Sequence, residues 1–468
     1  MRTRLKLILA ALMPALALLG CTDFLTGAKL TSNPNRPTAA SASQLFVGSE
    51  VATMAQWETY PFNLFPLWIQ QIAGVQRQWA NYAQYRSGTD EFTADGAWNT
   101  TYGQGGYSDL LNAVTQAGTD NNLVLRGQAR VLSALLIGTA ADIWGNIPFS
   151  DAGTSNAPTF DAQSDVYAHV EALLDSAIAD LQSGQGAGSG GDFFFGDDPA
   201  KWVAAAHTLK ARYFMHQSRG SDSLAMFSAA AKEAADGIQT PDGDLQTSHT
   251  STFGEQNLFY QFLIGPRAGD VEPSQIHMNV LKATGNSALL PVFYVANTNG
   301  QFVGSVAGQS AGTTVSTFAM GPTTPVGIVT FVENQMILAE TQYRAGNAAA
   351  AKTTLNAYRA SVGAPNEPDS LTVGGKLLVA IVEEKFAREL LNPEVYFDYL
   401  RTCVPNVPMP ADHSSSFDWV PARLPYGYTE TITNPNLPQT QPNANANFPA
   451  LAKDPTGAAC VGQMDRAP

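Results

Sequence analysis

"DIWGNIPFSDA" (residues 142–152) is the stretch on which the reading of this chain turns. It follows an alanine-rich apolar run, "QARVLSALLIGTAA" (128–141), and stops it. Gly145 suits the position just past a helix end, where φ is positive and a side chain is strained. Pro148 lacks an N–H and blocks any restart of the helix. Trp144, Ile147 and Phe149 are then free to pack the turn against a core. The local reading is therefore a helix, a sharp stop, and a turn anchored by rings.

Similar signals mark helices on the rest of the chain. Asp198 before Pro199 is a helix start, and Trp202, Ala206, Leu209 and Tyr213 then recur on one face. "SDVYAHVEALLDSAIADLQSG" (164–184) predicts a helix capped by Ser164 or Asp165 and stopped by Gly184. "VENQMILAETQYRAGNAAAAKTTLNAYRASVG" (332–363) predicts two helices broken at Gly346-Asn347, the unit of tetratricopeptide-type repeats. "GGKLLVAIVEEKFARELLNPEVYFDYLR" (374–401) predicts one long helix, or two split at Pro393, with Glu384/Arg388 and Lys385/Glu389 at (i, i+4) spacing. The fold class is mainly α, a helical-repeat scaffold. Two regions break it: the Gly-rich loop 184–192, and residues 239–328, rich in Gly, Thr, Ser, Asn and Pro with rings interspersed. The tail from 403 to 468 is also irregular.

The first twenty residues have a basic start (Arg2, Arg4, Lys6), a short apolar run and "LLGC" ending at Cys21. This resembles a bacterial lipoprotein signal: residues 1–20 are expected to be removed, and Cys21 to carry fatty acyl chains such as palmitate. Residues 21–42 read as a tether and 43–468 as one domain. No later stretch reads as a membrane span. The chain has 468 residues, 44% hydrophobic and 14% charged, with a net charge of −14, which argues against nucleic acid as a partner. Cys403 and Cys460 could pair, a matter the spacing leaves open.

"DIWGNIPFSDA" followed by "PTFDAQSDVYAHVEALLDSAIADL" (158–181) resembles the SusD/RagB-type outer-membrane lipoproteins, in particular the SusD-like branch. "KWVAAAHTLKARYFM", the 332–359 pair, "EEKFARELLNPEVYFDYLR" and "VPARLPYGYTETITNP" (420–435) follow in the family's order. The resemblance implies a tetratricopeptide-like scaffold with a large irregular region (about 239–328), attached to the outer membrane. It also implies a nutrient-binding protein, not an enzyme, that captures glycans or peptides beside a TonB-dependent transporter. No ligand residue transfers, because 240–328 matches no motif residue by residue.

Ligand candidates come from the residues themselves. Rings stack on the apolar faces of sugars and amides bind hydroxyls. "RQWANYAQYRSGTDEF" (77–92) offers Trp79, Asn81, Tyr82, Tyr85 and Arg86, and if helical it places Trp79, Tyr82 and Arg86 on one face. "NLFYQF" and "PVFYVANTNGQF" offer Phe259, Tyr260, Phe293, Tyr294 and Asn297. In each case a core-facing stripe or a buried strand is the bland alternative. Trp98 reads as helix packing.

"GQSAG" centred on Ser310 matches a hydrolase elbow, with Asp398 or Asp412 and His413 in serine-hydrolase order, but no strand precedes it and no helix start follows. A glycosidase needs a fixed carboxylate pair, and Glu383, Glu384 and Glu389 read as helix surface. The six histidines (169, 207, 216, 249, 277, 413) show no metal-ligand spacing, so no cofactor is expected, although a structural calcium at loop carboxylates stays open. A docking scaffold without its own ligand is the third reading.

Overall fold

The helix that ends in the quoted turn runs Leu123–Trp144 in the computed structural model, capped by the Asn122 side chain, which accepts from the Leu125 N–H. The structure describes residues 40–438 apart from 61, 89–90, 104, 219–222, 372–374 and 415–419. The Leu123–Trp144 helix is long and apolar enough to cross a membrane by length and composition, contrary to the sequence reading. However, 83% of its apolar window is buried inside the protein. It is apolar all round because helices surround it: Tyr107–Thr119, Gln163–Gln182 and Pro199–Gln217 all pack on it. Gly138 allows a close approach. A Cβ there would meet Tyr213 Cζ at 2.2 Å, and the space lets the Tyr213 hydroxyl reach the Leu135 carbonyl at 3.2 Å.

The order of packing along the chain is that of a solenoid. The Pro199–Gln217 helix lies against Ser223–Asp236, which lies against Phe331–Arg344, which in turn packs on Ala348–Ser361 and Gly375–Arg388. Asp198 caps as expected, accepting from Ala200 N with Pro199 at the first position. Gly346 has φ 81°, and Asn347 accepts from the Ala350 N–H to start the next helix. The 374–401 stretch is two helices, Gly375–Arg388 and Glu394–Thr402, with Pro393 at the second start.

The quoted turn is a junction as well as a stop. Gly145 takes φ 79° and its N–H donates to the Ala141 carbonyl at 2.9 Å. The same carbonyl accepts from Gln163 Nε2 at 2.7 Å. Asp161 accepts from the Phe149 and Ser150 N–H groups at 2.9 and 2.8 Å, and the Tyr167 hydroxyl donates to Asp142. The next helix starts at Gln163 with Ala162 before it, so neither Ser164 nor Asp165 is the cap; Asn146 accepts from the Gln163 N–H in that role. A segment from the chain's far end then closes over the turn. Leu424 N–H donates to the Ile143 carbonyl, Trp144 Nε1 to Pro425, and the Tyr426 hydroxyl to Asn146. Three separated sequence motifs are thus one hydrogen-bonded unit that uses the orphan carbonyls of a helix end. Trp98 is core, edge-on to Trp144 at 5.0 Å.

Charges are also buried, and they tie the two halves of the scaffold together. His216 sits between Asp142 (2.8 Å) and Glu394 (3.0 Å). Arg212 grips Glu333 at 2.5 and 2.6 Å, and Lys385 reaches Asp398 at 2.8 Å and Glu394 at 3.3 Å. Burial alone would lower the His216 pKa, but the carboxylates of Asp142 and Glu394 outweigh it and hold the value at about 9. Glu383, Glu384 and Glu389 are buried, not helix surface. Glu384 takes Arg388 at 2.5 Å, as its spacing predicts, together with Arg359 and Asn286. Glu389 receives the Thr330 hydroxyl, while Lys385 turns to Glu394 and Asp398. Buried charges persist only with such partners.

The 239–328 region is held by small pairings. Ile72–Gly74 pairs antiparallel with Val271–Pro273, Leu245–Gln246 with Gly327–Val329, and Tyr294–Val295 with Thr317–Phe318. Short helices, Leu258–Ile264 and Gln275–Ala283 among them, lie between these strands. Cys403 is disulfide-bonded, with its partner outside the described residues, where Cys21 and Cys460 both lie.

Candidate ligand-binding surface

Residues 77–83 form a helix, Arg77–Ala83, so Trp79 and Tyr82 do share a face, ring centroids 5.7 Å apart. The helix ends before Tyr85 and Arg86. Tyr85 has φ 55°, is buried, and donates its hydroxyl to the Trp68 carbonyl at 2.8 Å. Arg86 is exposed and its Nε donates to the Asp412 carbonyl, which ties down the 410–414 segment.

What the helix builds is a ledge of rings. Tyr82 stacks on Tyr60 at 5.3 Å and 23°, just past the end of the Ala42–Glu58 helix. Trp79 stands edge-on to both and meets Phe262 at 5.1 Å from the other side. Trp79 is 5% exposed and acts as the backing, whereas Tyr60, Tyr82 and Phe262 are half-buried. Asn81 is exposed, and neither its side chain nor the Tyr82 hydroxyl has a protein partner among the described residues. Asp270, fully buried, holds Arg77 and Arg267 together beside this helix. A half-buried stacked pair with an uncommitted hydroxyl on Tyr82 can take the apolar face of a ring and bind its hydroxyls.

The second group of candidates divides. Phe259 and Tyr294 are core. The Tyr294 hydroxyl donates to His277 Nδ1 at 2.5 Å, while His277 Nε2 donates to the Ala387 carbonyl at 3.1 Å. Burial raises the Tyr294 pKa and pulls His277 down to about 4, so the histidine is neutral there. Asn297 builds its own loop: its oxygen accepts from Asn299 and Gln301 N–H and its amide donates to the Thr314 carbonyl. Tyr260 and Phe293 are half-buried, and Phe293 lies against His277 at 5.7 Å. Tyr60 and Phe262 were missed by the sequence reading. Phe262 closes the quoted "NLFYQF", but nothing local tells which of its rings faces out.

Among the described residues no acid–histidine pair adjoins Ser310. Its hydroxyl lies 2.9 Å from both Glu272 oxygens, and a three-residue 3-10 turn follows. Asp398 is bound to Lys385 and Arg401, and His413 Nδ1 lies against the Pro410 carbonyl. Among the described residues no three His, Cys, Asp or Glu side chains converge to hold a metal ion.

The family model described as "Starch-binding associating with outer membrane", SusD-like, matches residues 34–368. No protein of curated function matches the sequence. Among solved structures, a SusD/RagB family protein from Bacteroides thetaiotaomicron superposes with a TM-score of 0.71 at 21% identity, covering 88% of this chain and 98% of that one. A chitin-binding protein gives 0.69 at 20% identity, with 84% and 94% covered. A SusD homologue from Bacteroides fragilis gives 0.68 at 18%, with 91% and 99% covered. At such identities the superpositions establish the shared fold, and the family match, which spans well over half the chain, establishes more: this protein is a member of the SusD-like family.

Proposed function

We propose that this protein is a cell-surface nutrient-binding lipoprotein that captures a glycan on the Tyr60–Tyr82 ledge and passes it to a TonB-dependent outer-membrane transporter. The ledge is the observation that carries the proposal: a stacked, half-buried tyrosine pair, backed by Trp79 and with the Tyr82 hydroxyl uncommitted, in a family described as starch-binding and outer-membrane-associated. The chitin-binding protein of the same fold supports a glycan over a peptide. The protein's part is binding and release, with no bond made or broken. Ser310, bound to Glu272, and the buried, paired Glu384 support a non-catalytic reading.

The anchor proposed is Cys21, which lies outside the described residues, as do the leader 1–20 and most of the tether. Cys21→Ser is expected to move the protein from the membrane to the soluble fraction. An intact mass showing unmodified Cys21 in the mature wild type contradicts the anchor. Cys460 is the proposed partner of Cys403, and non-reducing peptide mapping that links Cys403 to Cys21 instead rules this out. Hand-over is tested by tagging the protein in its native cell and purifying it under mild detergent. A plug-and-barrel receptor should co-purify; isolation of the protein alone, under conditions that keep known receptor complexes intact, removes the transporter from the proposal.

A further inference from the structure

A cavity of about 340 Å³ opens between the Ala42–Glu58 helix and the 248–258 loop. Its inner wall is Val51, Met54 and Ala55 from the helix, Leu258 from the start of the Leu258–Ile264 helix, and Phe193 from the end of the Gly-rich loop. The volume falls within the range of about 300–1,000 Å³ typical of small-molecule sites. Two of these wall residues also reach solvent, as does a sequence neighbour of the lining. Val51 and Phe193 are each 49% exposed, and Phe253, next to the lining residue Gly254, is 88% exposed.

Several polar groups around the cavity are engaged within the protein. Glu58 Oε1 lies 2.6 Å from His249 Nε2, and its Oε2 accepts from the Leu258 N–H at 2.8 Å. His249 Nδ1 faces the Glu255 carbonyl at 3.3 Å. The Thr250 hydroxyl donates to Glu255 at 2.6 Å, and the Gln256 amide donates to the Ser251 carbonyl at 3.1 Å. A sugar pushed into this space would lose water from its hydroxyls against the apolar inner wall, which costs affinity. A charged group would lose part of its hydration against the apolar inner wall. A flat apolar ring meets the opposite conditions. Phe193 offers a half-exposed face for stacking, and the Met54 sulfur is a favourable neighbour for an aromatic edge.

We propose that this cavity is a second binding site, sharing no lining residue with the Tyr60–Tyr82 ledge, and that it takes an uncharged aromatic ring. The ring could belong to an aromatic residue of a peptide or to the aglycone of a glycoside. The proposal does not depend on the ledge binding a glycan.

The test uses the full mature chain without its lipid and two neutral probes, N-acetyl-L-tryptophanamide and phenyl β-D-glucopyranoside, with N-acetyl-L-leucinamide and glucose as controls. Binding is read by ligand-observed NMR titration. Ala55→Trp fills the cavity, and Phe193→Ala removes a half-exposed wall without touching the packed helix; melting curves confirm that both variants fold. At least one aromatic probe should bind, weakened roughly tenfold or more by either variant, in line with the worth of a lost aromatic contact. Tyr82→Ala should leave this binding unchanged. The stronger of the two aromatic probes identifies the source of the ring. Absence of aromatic-probe binding, equal binding of the leucine amide or glucose, or binding that survives both cavity variants overturns the proposal. Loss with Tyr82→Ala alone would place the probe on the ledge and also overturn it.

Discussion

The turn at 142–152 and the ledge at 60–82 are both crowded with rings, yet they treat their polar atoms in opposite ways. In the turn, Trp144 Nε1, the Tyr426 and Tyr167 hydroxyls and both oxygens of Asp161 are engaged inside the protein. On the ledge, the Tyr82 hydroxyl and the Asn81 amide are left to solvent, and the stacked pair keeps part of its surface exposed. A ring whose polar atoms are satisfied internally is there to hold the fold. A ring pair that is propped up from behind, with the hydroxyl of Tyr82 uncommitted, is available to something outside. The same composition therefore serves stability in one place and recognition in the other.

The largest effect expected is in the turn. Trp144→Ala removes a fully buried indole and the clasp to Pro425, and should cost about 3–5 kcal/mol of unfolding free energy. Chemical denaturation measures this, and ligand affinity of the folded fraction should be unchanged. A loss below about 1 kcal/mol would remove the turn's structural role. Next comes pH. Burial, reinforced by Asp192, raises the Glu50 pKa to about 10, so its carboxyl is neutral in the fold. A group raised in this way adds stability below its unfolded value near 4.5 and loses it as pH climbs toward 10; His216, raised to about 9, loses its contribution between about 6.5 and 9. Melting temperature should therefore fall between pH 6 and 9. Glu50→Gln, which imitates the neutral acid, should flatten part of that fall, with an upper bound of about 4 kcal/mol over three pH units. An unchanged slope in Glu50→Gln would show the carboxyl to be ionised in the fold.

Effects on the ledge should be smaller in stability and visible in affinity. Tyr82→Ala should weaken glycan binding by about 2 kcal/mol, roughly thirtyfold, with little change in melting temperature. Asn81→Ala should cost only about 0.5–1.5 kcal/mol, the worth of an ordinary hydrogen bond. If Asn81→Ala cost more than Tyr82→Ala in isothermal titration, recognition would rest on the amide and not on stacking.

What could be read from sequence follows the range of the forces involved. Gly145, Asp198-Pro199 and Gly346-Asn347 act on their own backbone neighbours, so their roles are visible in a few residues. The cap of the Gln163–Gln182 helix was not visible, because Asn146 reaches it from 17 positions away. Glu384 looks like helix surface until Arg359 and Asn286, from other elements, are brought against it. The shared face of Trp79 and Tyr82 was legible from their spacing only on the condition that the segment is helical, which the sequence left open. The inward turn of Tyr85 was not, since it depends on the positive φ that follows the helix end. Tyr60 reached the ledge only through the fold, and Phe262 joins it from about 180 residues further on in the chain.

The central claim is that the ledge is where this SusD-like protein holds its ligand. Affinity electrophoresis of the lipid-free mature protein in native gels containing soluble starch or glycol chitin tests it most directly, with wild type, Tyr82→Ala and the cavity variant Phe193→Ala run side by side. The account predicts that wild type and Phe193→Ala are slowed equally by at least one polysaccharide, and that folded Tyr82→Ala runs as though none were present. Slowing that persists in Tyr82→Ala, or migration of the wild type unaffected by either glycan, contradicts it.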